Sequence, residues 1–432
     1  MAPLHPRPPE VQHMKRILAA AAVTLLAVSA TACGSGDGDS GDENQIVFSY
    51  WGSDSRQKLT EAAIAKFEEK YPSIKVEGDF SDFDSYYEKL ATKTAAGDAP
   101  DVISIEIRAL AEYSGRGTIA DLTGKIDTTD LDQSVLKAGQ VDGKQYAIPT
   151  GVNAFPMIVN RKAVAKAGQK VPDDKTWTWD DYIALSQKIT ERNGGKPWGT
   201  EYNENPAFLQ IYAAQRGEPF YKDGKLGVSE QTVKDWWALL QKIIDTKAGP
   251  GAAKMLETGT KPDQALLVTK ESAFGSWWSN QLDALTKGAG EELDLLRMPR
   301  IPGAATSGMF LQPAMYYTIS ARTEKTAAAR QFVDFLVNDP DAGAILLSDR
   351  GLPTNGTVIA AIKDKLTPAD QKVLAFMESI KNDLSPVVVP PKGATEMEDI
   401  LKRATDSVLF KKATPDAAAK AFITEANNTL SQ

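Results

Sequence analysis

The chain has 432 residues, with 49 basic and 57 acidic side chains, a formal net charge of −8, two histidines and one cysteine. This acidic balance makes nucleic acid and anionic membrane surfaces poor partners. His5 and His13 both precede the single cysteine, Cys33. The chain beyond Cys33 therefore has no imidazole, which excludes Ser-His-Asp and Cys-His catalysis and any Cys/His zinc site but leaves carboxylate-only chemistry open.

The segment from Met14 to Cys33 opens with Lys15 and Arg16, runs uncharged from Ile17 to Ala32 and ends in Ala30-Thr31-Ala32-Cys33. A positive start, an apolar stretch and small residues at a cleavage point make a secretory signal. Residues 1–32 are thus expected to be a signal peptide, with Met14 as the true start. The apolar run is shorter than the ~20 residues a spanning helix needs. Cys33, placed directly after the small residues, resembles the lipobox cysteine of bacterial lipoproteins, which receives a diacylglycerol on its thiol. The resemblance implies a lipid anchor on the outer face of the cell membrane and contact with the membrane through that lipid only. Gly34 to Asn44 holds no apolar residue, so 33–44 is expected to be a flexible tether. Loss of Arg7, Lys15, Arg16 and Glu10 with the leader would deepen the charge to −10. The rest exceeds the roughly 250–300 residues that one core supports, and two lobes are expected.

From Gln45 the pattern alternates strand and helix. Ile46 to Tyr50 is a β run, and Leu59, Ala63, Phe67 and Tyr71 repeat on one helix face until Pro72. Ile74 to Val76 is a second strand, Tyr86 to Ala95 a second helix, and Gly97-Asp98-Ala99-Pro100 a turn into Asp101 to Ile105. This predicts βαβ units around a largely parallel sheet, with ligands beyond the carboxyl ends of its strands, where Trp51 and Glu106 sit. Val141 to Pro149 and Phe155 to Asn160 read as strands, and helices dominate from there to about residue 300. Thr178 followed by Asp180 and Asp181 is an expected N-cap. The helix from Thr232 should bury Trp236, Leu240 and Ile243 or Ile244. After a Pro/Gly-rich link at 297–308, Met315 to Ile319 reads as a strand and Ala328 to Leu336 as a helix. Three capped helices follow from Thr367, Thr395 and Thr414.

Trp51-Gly52, Ala96-Gly97-Asp98-Ala99-Pro100-Asp101-Val102, Tyr146-Ala147-Ile148-Pro149, Trp177-Thr178-Trp179-Asp180-Asp181, Ala273-Phe274-Gly275-Ser276-Trp277-Trp278, Phe332-Val333-Asp334-Phe335-Leu336 and Gly351-Leu352-Pro353 follow the tether. In this order they resemble the carbohydrate-binding group of extracellular solute-binding proteins of ABC importers, the class that includes maltose-binding protein. The resemblance covers nearly all of residues 45–432. It implies the α/β, two-lobed type II periplasmic-binding-protein fold, with three crossover segments near 149–155, 309–314 and 349–354. The expected lobes are 45–150 plus 313–350 and 154–310 plus 353–432. It also implies a carbohydrate ligand, the transmembrane subunits of an ABC permease as partner, a monomer, no cofactor and no catalysis.

A sugar offers apolar C–H faces to flat rings and a rim of hydroxyls to paired polar groups. Trp51, Trp277 and Trp278 are the candidate platforms, whereas Trp177, Trp179, Trp236 and Trp237 are expected to be structural. Asp54, Glu106, Arg108, Asn153 and Gln312 are candidate hydroxyl partners, because carboxylates accept from vicinal hydroxyls and Arg donates as a fork. Glu106 stands out by interrupting an apolar strand end. Tyr202 and Asn203 complete the set. Asp127, Asp130 and Asp132 lack the glycine and distal glutamate of a calcium loop, and no metal is expected. A surface glycosidase working with two carboxylates, and a binder of peptides, opines or other polar solutes, remain alternatives.

Overall fold

The computed structural model describes residues 44–258 and 261–430. The expected signal peptide, Cys33 and the tether as far as Glu43 lie outside the described residues.

β1 (Gln45–Trp51) is buried along most of its length, because parallel strands flank it on both sides: β2 (Lys75–Ser81) and β3 (Val102–Ile105). Between them α1 (Asp54–Lys70) buries Thr60, Ala63, Ile64 and Phe67. α2 (Phe83–Ala96) starts on the Asp82 carboxylate and stops at Gly97, whose φ of 85° suits glycine. α3 (Ile107–Gly115) leaves β3 through Glu106.

The chain continues through β4 (Ile148–Pro149), β5 (Gly151–Asn153), β6 (Met157–Val159), α4 (Trp179–Arg192), β7 (Trp198–Thr200) and α5 (Pro206–Gln215). α6 (Glu230–Asp245), α7 (Ala252–Thr258), β8 (Ser272–Ser276) and β9 (Asp294–Leu296) follow. Then come β10 (Gln312–Pro313), β11 (Tyr316–Ile319), α8 (Thr326–Asn338) and β12 (Leu352–Pro353), and last α9 (Pro368–Ile380), α10 (Met397–Leu409) and α11 (Pro415–Leu430). Thr178 is the expected N-cap of α4 and closes a capping box with Asp181, and Thr367 with Asp370 repeats it on α9.

These strands form a five-stranded sheet in the order β2-β1-β3-β11-β4, a four-stranded sheet β9-β6-β8-β7 and a three-stranded sheet β10-β5-β12. The first sheet is largely parallel, as the alternation predicts, with β2, β1, β3 and β4 running one way; β11 is the exception, antiparallel to β3 and β4, and the four-stranded sheet keeps one parallel pairing, β7 with β8. The reason is connectivity. A parallel neighbour needs a helical crossover, but β11 is entered straight from β10 and so arrives at the end where β4 leaves.

Apolar packing follows the two larger sheets. One core draws on residues 152–310 and 352–430, with Val135. Two others draw on residues 46–148 and 315–346, one under α1 and α8 and one under α2 and α3. Alternate residues of β11 separate these two, Tyr317 and Ile319 facing one and Tyr316 the other. The molecule is thus an α/β protein of two lobes. The chain passes between the larger sheets at β5, β10 and β12, where Asn153 lies opposite Gln312 and Val152 opposite Leu352. Asp132 caps a short helical turn and Asp127 accepts the Thr129 N–H. Among the described residues no group of three or more His, Cys, Asp or Glu could hold a metal ion, and no helix is long and apolar enough to cross a membrane.

The small sheet leaves no room at Gly151, where an added Cβ would come within 2.3 Å of the Arg350 carbonyl oxygen. Gly151→Ala is expected to cost about 1–3 kcal/mol, the usual penalty of overpacking. Thermal or urea unfolding checks this, and unchanged stability would mean that β5 and β12 separate freely.

Candidate functional site

Two strand ends build the site. β7 and β8 run parallel, with Phe274 opposite Thr200, so the residues after them, Glu201 and Trp277, emerge on the same side. Gly275 makes room for the carboxylate, since a Cβ there would come within 2.3 Å of Glu201 Oε1. Glu201 is 3% exposed. Its Oε2 accepts the Leu266 N–H at 2.7 Å and its Oε1 accepts the indole N–H of Trp277. Burial pushes its carboxyl up to about 7, against the opposing pull of those donors.

In front of this pair lies a cavity of about 510 Å³. Phe83 from α2, Glu106 just beyond β3 and Arg108 from α3 line one side of it, and Gln312 lines it from a crossing strand. Tyr202, Glu204, Trp277, Trp278, Lys402 and Asp406 line the other side. Trp278 is half-buried and rests edge-on against Phe155, ring centres 5.1 Å apart. Phe83 and Leu256, the exposed large hydrophobic residues among those described, both line the cavity.

Polar groups sit at two places. Arg108 Nη2 donates to Glu106 Oε2 at 2.7 Å, while its Nη1 lies 3.5 Å from the Thr395 carbonyl oxygen and 3.8 Å from Glu398. Lys402 Nζ lies 2.8 Å from Asp406 and 3.9 Å from Glu204. Burial, then the charge of Asp406, pushes the Glu204 carboxyl up to about 7 against the pull of Lys402. Tyr202 is 2% exposed, and its Oη has no hydrogen-bond partner among the described residues.

Seven of the ten candidates from sequence line the cavity: Glu106, Arg108, Tyr202, Asn203, Trp277, Trp278 and Gln312. Asn203 is committed locally, its Nδ2 donating to the Ser276 carbonyl at 2.8 Å and its Oδ1 accepting the Asn205 N–H at 2.7 Å. Trp51, Asp54 and Asn153 do not line it. Trp51 is 5% exposed, packed among Tyr86, Phe83 and Tyr87 with ring centres 4.9, 5.9 and 6.0 Å away. Asp54 begins α1 on the open surface. Asn153 is buried in the middle strand of the small sheet, opposite Gln312.

Glu201, Glu204, Lys402, Asp406 and Phe83 were not singled out by sequence. Glu201 had a usable signal, its place one residue beyond a strand parallel to the one that ends in Trp277. The other four sit in helices or turns where a charge or an aromatic ring reads as ordinary surface or core.

A family model described as bacterial extracellular solute-binding protein matches residues 62–375. The chain is 25% identical over 436 aligned residues to the diacetylchitobiose binding protein DasA of Streptomyces coelicolor, covering 97% of this chain and 99% of that one. It is 24% identical to a protein of Streptomyces antibioticus described as a lipoprotein, covering 71% of this chain and 68% of that one. Among solved structures, a periplasmic oligogalacturonide binding protein from Yersinia enterocolitica superposes with a TM-score of 0.75 at 22% identity, covering 90% of this chain and 99% of that one. That likeness is one of fold.

The Glu201 carboxyl carries a pH signature. Folded, it holds its proton up to pH about 7, while the unfolded chain ionises it near the ordinary 4.5. Between those values the folded state binds more protons, so stability falls as pH rises, by about 3 kcal/mol in all by pH 8. Glu201→Gln should remove this share of the decline and leave the share of Glu204, whose carboxyl is raised over the same range. Denaturant midpoints of both proteins from pH 4.5 to 8 test it, and parallel curves would refute the assignment.

Proposed function

Because this chain belongs to the bacterial extracellular solute-binding proteins, we propose that it captures a sugar or oligosaccharide between its two lobes. It then delivers the ligand unchanged to the transmembrane subunits of an ABC importer. The observation that carries this reading is the cavity, where the Trp277 and Trp278 rings stand beside carboxylates and Arg108. Flat apolar rings next to paired polar groups meet the two faces of a sugar. The volume, about 510 Å³, lies within the roughly 300–1,000 Å³ usual for small-ligand sites. The name of the diacetylchitobiose binding relative supports a saccharide. The glycosidase alternative is weakened at Glu201, whose two oxygens are both occupied by N–H donors.

In this reading the ligand favours the closed form only through contacts made from both sides. The lobes would be 45–150 plus 313–350 and 154–310 plus 353–432, bending near 149–155, 309–314 and 349–354, where β5, β10 and β12 pair. Arg108 reaching toward Thr395 and Glu398 is the kind of contact such closure would make. Trp51, Asp54 and Asn153 take no direct part in the proposed binding set, and Glu201 joins it as the group that positions Trp277.

Cys33 would carry the lipid and keep the protein beside its permease, a reading supported by the lipoprotein relative. Cys33→Ser should move the protein from the membrane fraction to the medium, and full retention on the membrane would refute the anchor.

Titration of the protein with a sugar panel, followed by tryptophan fluorescence, should give saturable binding, with the bound sugar recovered intact by mass analysis. Trp278→Ala should weaken it by about 2 kcal/mol or more, the scale of a central anchor. Recovery of a cleaved product would replace this function with hydrolysis.

A further inference from the structure

The acidic end of the cavity goes further than the saccharide reading on which it rests: it says which saccharides are admitted. Among the described residues, five carboxylates line the cavity, those of Glu106, Glu201, Glu204, Glu398 and Asp406, against two cations, Arg108 and Lys402. Both cations are already engaged, Arg108 with Glu106 at 2.7 Å and Lys402 with Asp406 at 2.8 Å. Glu204 makes no hydrogen bond among the described residues, and its near cation, Lys402, stands 3.9 Å off. Tyr202, 2% exposed, lines the same end with its hydroxyl unpartnered, and Glu204 and Asp406 are the charges that act on that hydroxyl. A nearly buried hydroxyl and a carboxylate left without donors are costly unless something supplies partners.

We propose that Tyr202, Glu204 and Asp406 form an acceptor pole that takes hydroxyl or amine donors of a neutral or amine-bearing sugar and rejects sugars that carry a carboxylate. The donors would fill the free lone pairs of Glu204 and satisfy Tyr202. A uronate would bring a further negative charge to an end of the cavity where Asp406 already presses the Glu204 carboxyl toward its protonated form, with no unengaged cation to meet it. Rejecting a near-isosteric ligand by facing like charges is an effective route to specificity. This chain would then differ in ligand class from the oligogalacturonide binding protein whose fold it shares.

The test incubates the full chain with a pool of neutral, amino and uronic oligosaccharides and identifies what is retained by mass analysis. The retained sugar is then oxidised at its primary alcohol to the uronate, and the two forms are titrated side by side. The retained species should all be neutral or amine-bearing. Oxidation should weaken binding by about 100-fold or more, the scale of like-charge juxtaposition. The double variant Glu204→Gln, Asp406→Asn should narrow that gap, and Lys402→Gln should widen it, so misfolding cannot mimic both. A uronic sugar among the retained species, an oxidised form that binds as tightly as its parent, or a gap that neither variant moves overturns the charge selection while leaving the saccharide reading intact. Retention of no sugar at all overturns the saccharide reading, and the selection with it.

Discussion

A carboxylate shut away from water and an indole facing a cavity hold each other in place. Burying Glu201 is unfavourable unless donors meet it, and the Trp277 and Leu266 N–H groups do so. The contact is possible only because Gly275, one strand over, presents no side chain. It fixes the carboxyl ends of β7 and β8 against each other, and the Asn203 amide repeats the tie by donating to Ser276. The ring of Trp277, the placing of Trp278 after it and the turn into α5 all depend on that junction. A rigid platform of this kind spends little conformational entropy when a ligand arrives.

Local pattern carried the element order well, because strand and helix periodicities are written in neighbouring residues. Phe67 and Ala63 mark the buried face of α1, and Thr178 and Thr367 announce their helices by capping chemistry that acts over three residues. What local pattern could not carry was return from a distance. Trp51 stands beyond a strand end, as a platform would, but α2 brings Phe83, Tyr86 and Tyr87 over it, and Phe83 faces the cavity instead. The direction of β11 depends on a crossing strand, not on its own residues. Lys402 and Asp406 meet Glu204 only because α10 folds back about 200 residues later. Glu201 was the nearest miss, since its burial depends on a glycine that looks unremarkable by itself.

The cavity is therefore uneven in chemistry. Its aromatic side is set by strand ends and packed on the core through Phe155. Its charged side is set by helices and turns, Arg108 with Glu106 on one flank and Lys402 with Asp406 on the other. Rings packed on a core suit a surface common to many sugars, while charges on helices and turns can change without disturbing the fold. Relatives of one fold can then take ligands of different charge.

The place of β11 in the first sheet has a consequence for the order of events at synthesis. β4 reaches that sheet only through β11, which also covers the open side of β3. Until residues 316–319 have been made, β3 has a bare edge and β4 has no neighbour in the sheet. A nascent chain can thus form isolated βαβ pieces early but cannot complete its first sheet before most of its length exists. Completion of the first sheet is thus a late, long-range event, of the slow kind that non-local strand pairing imposes.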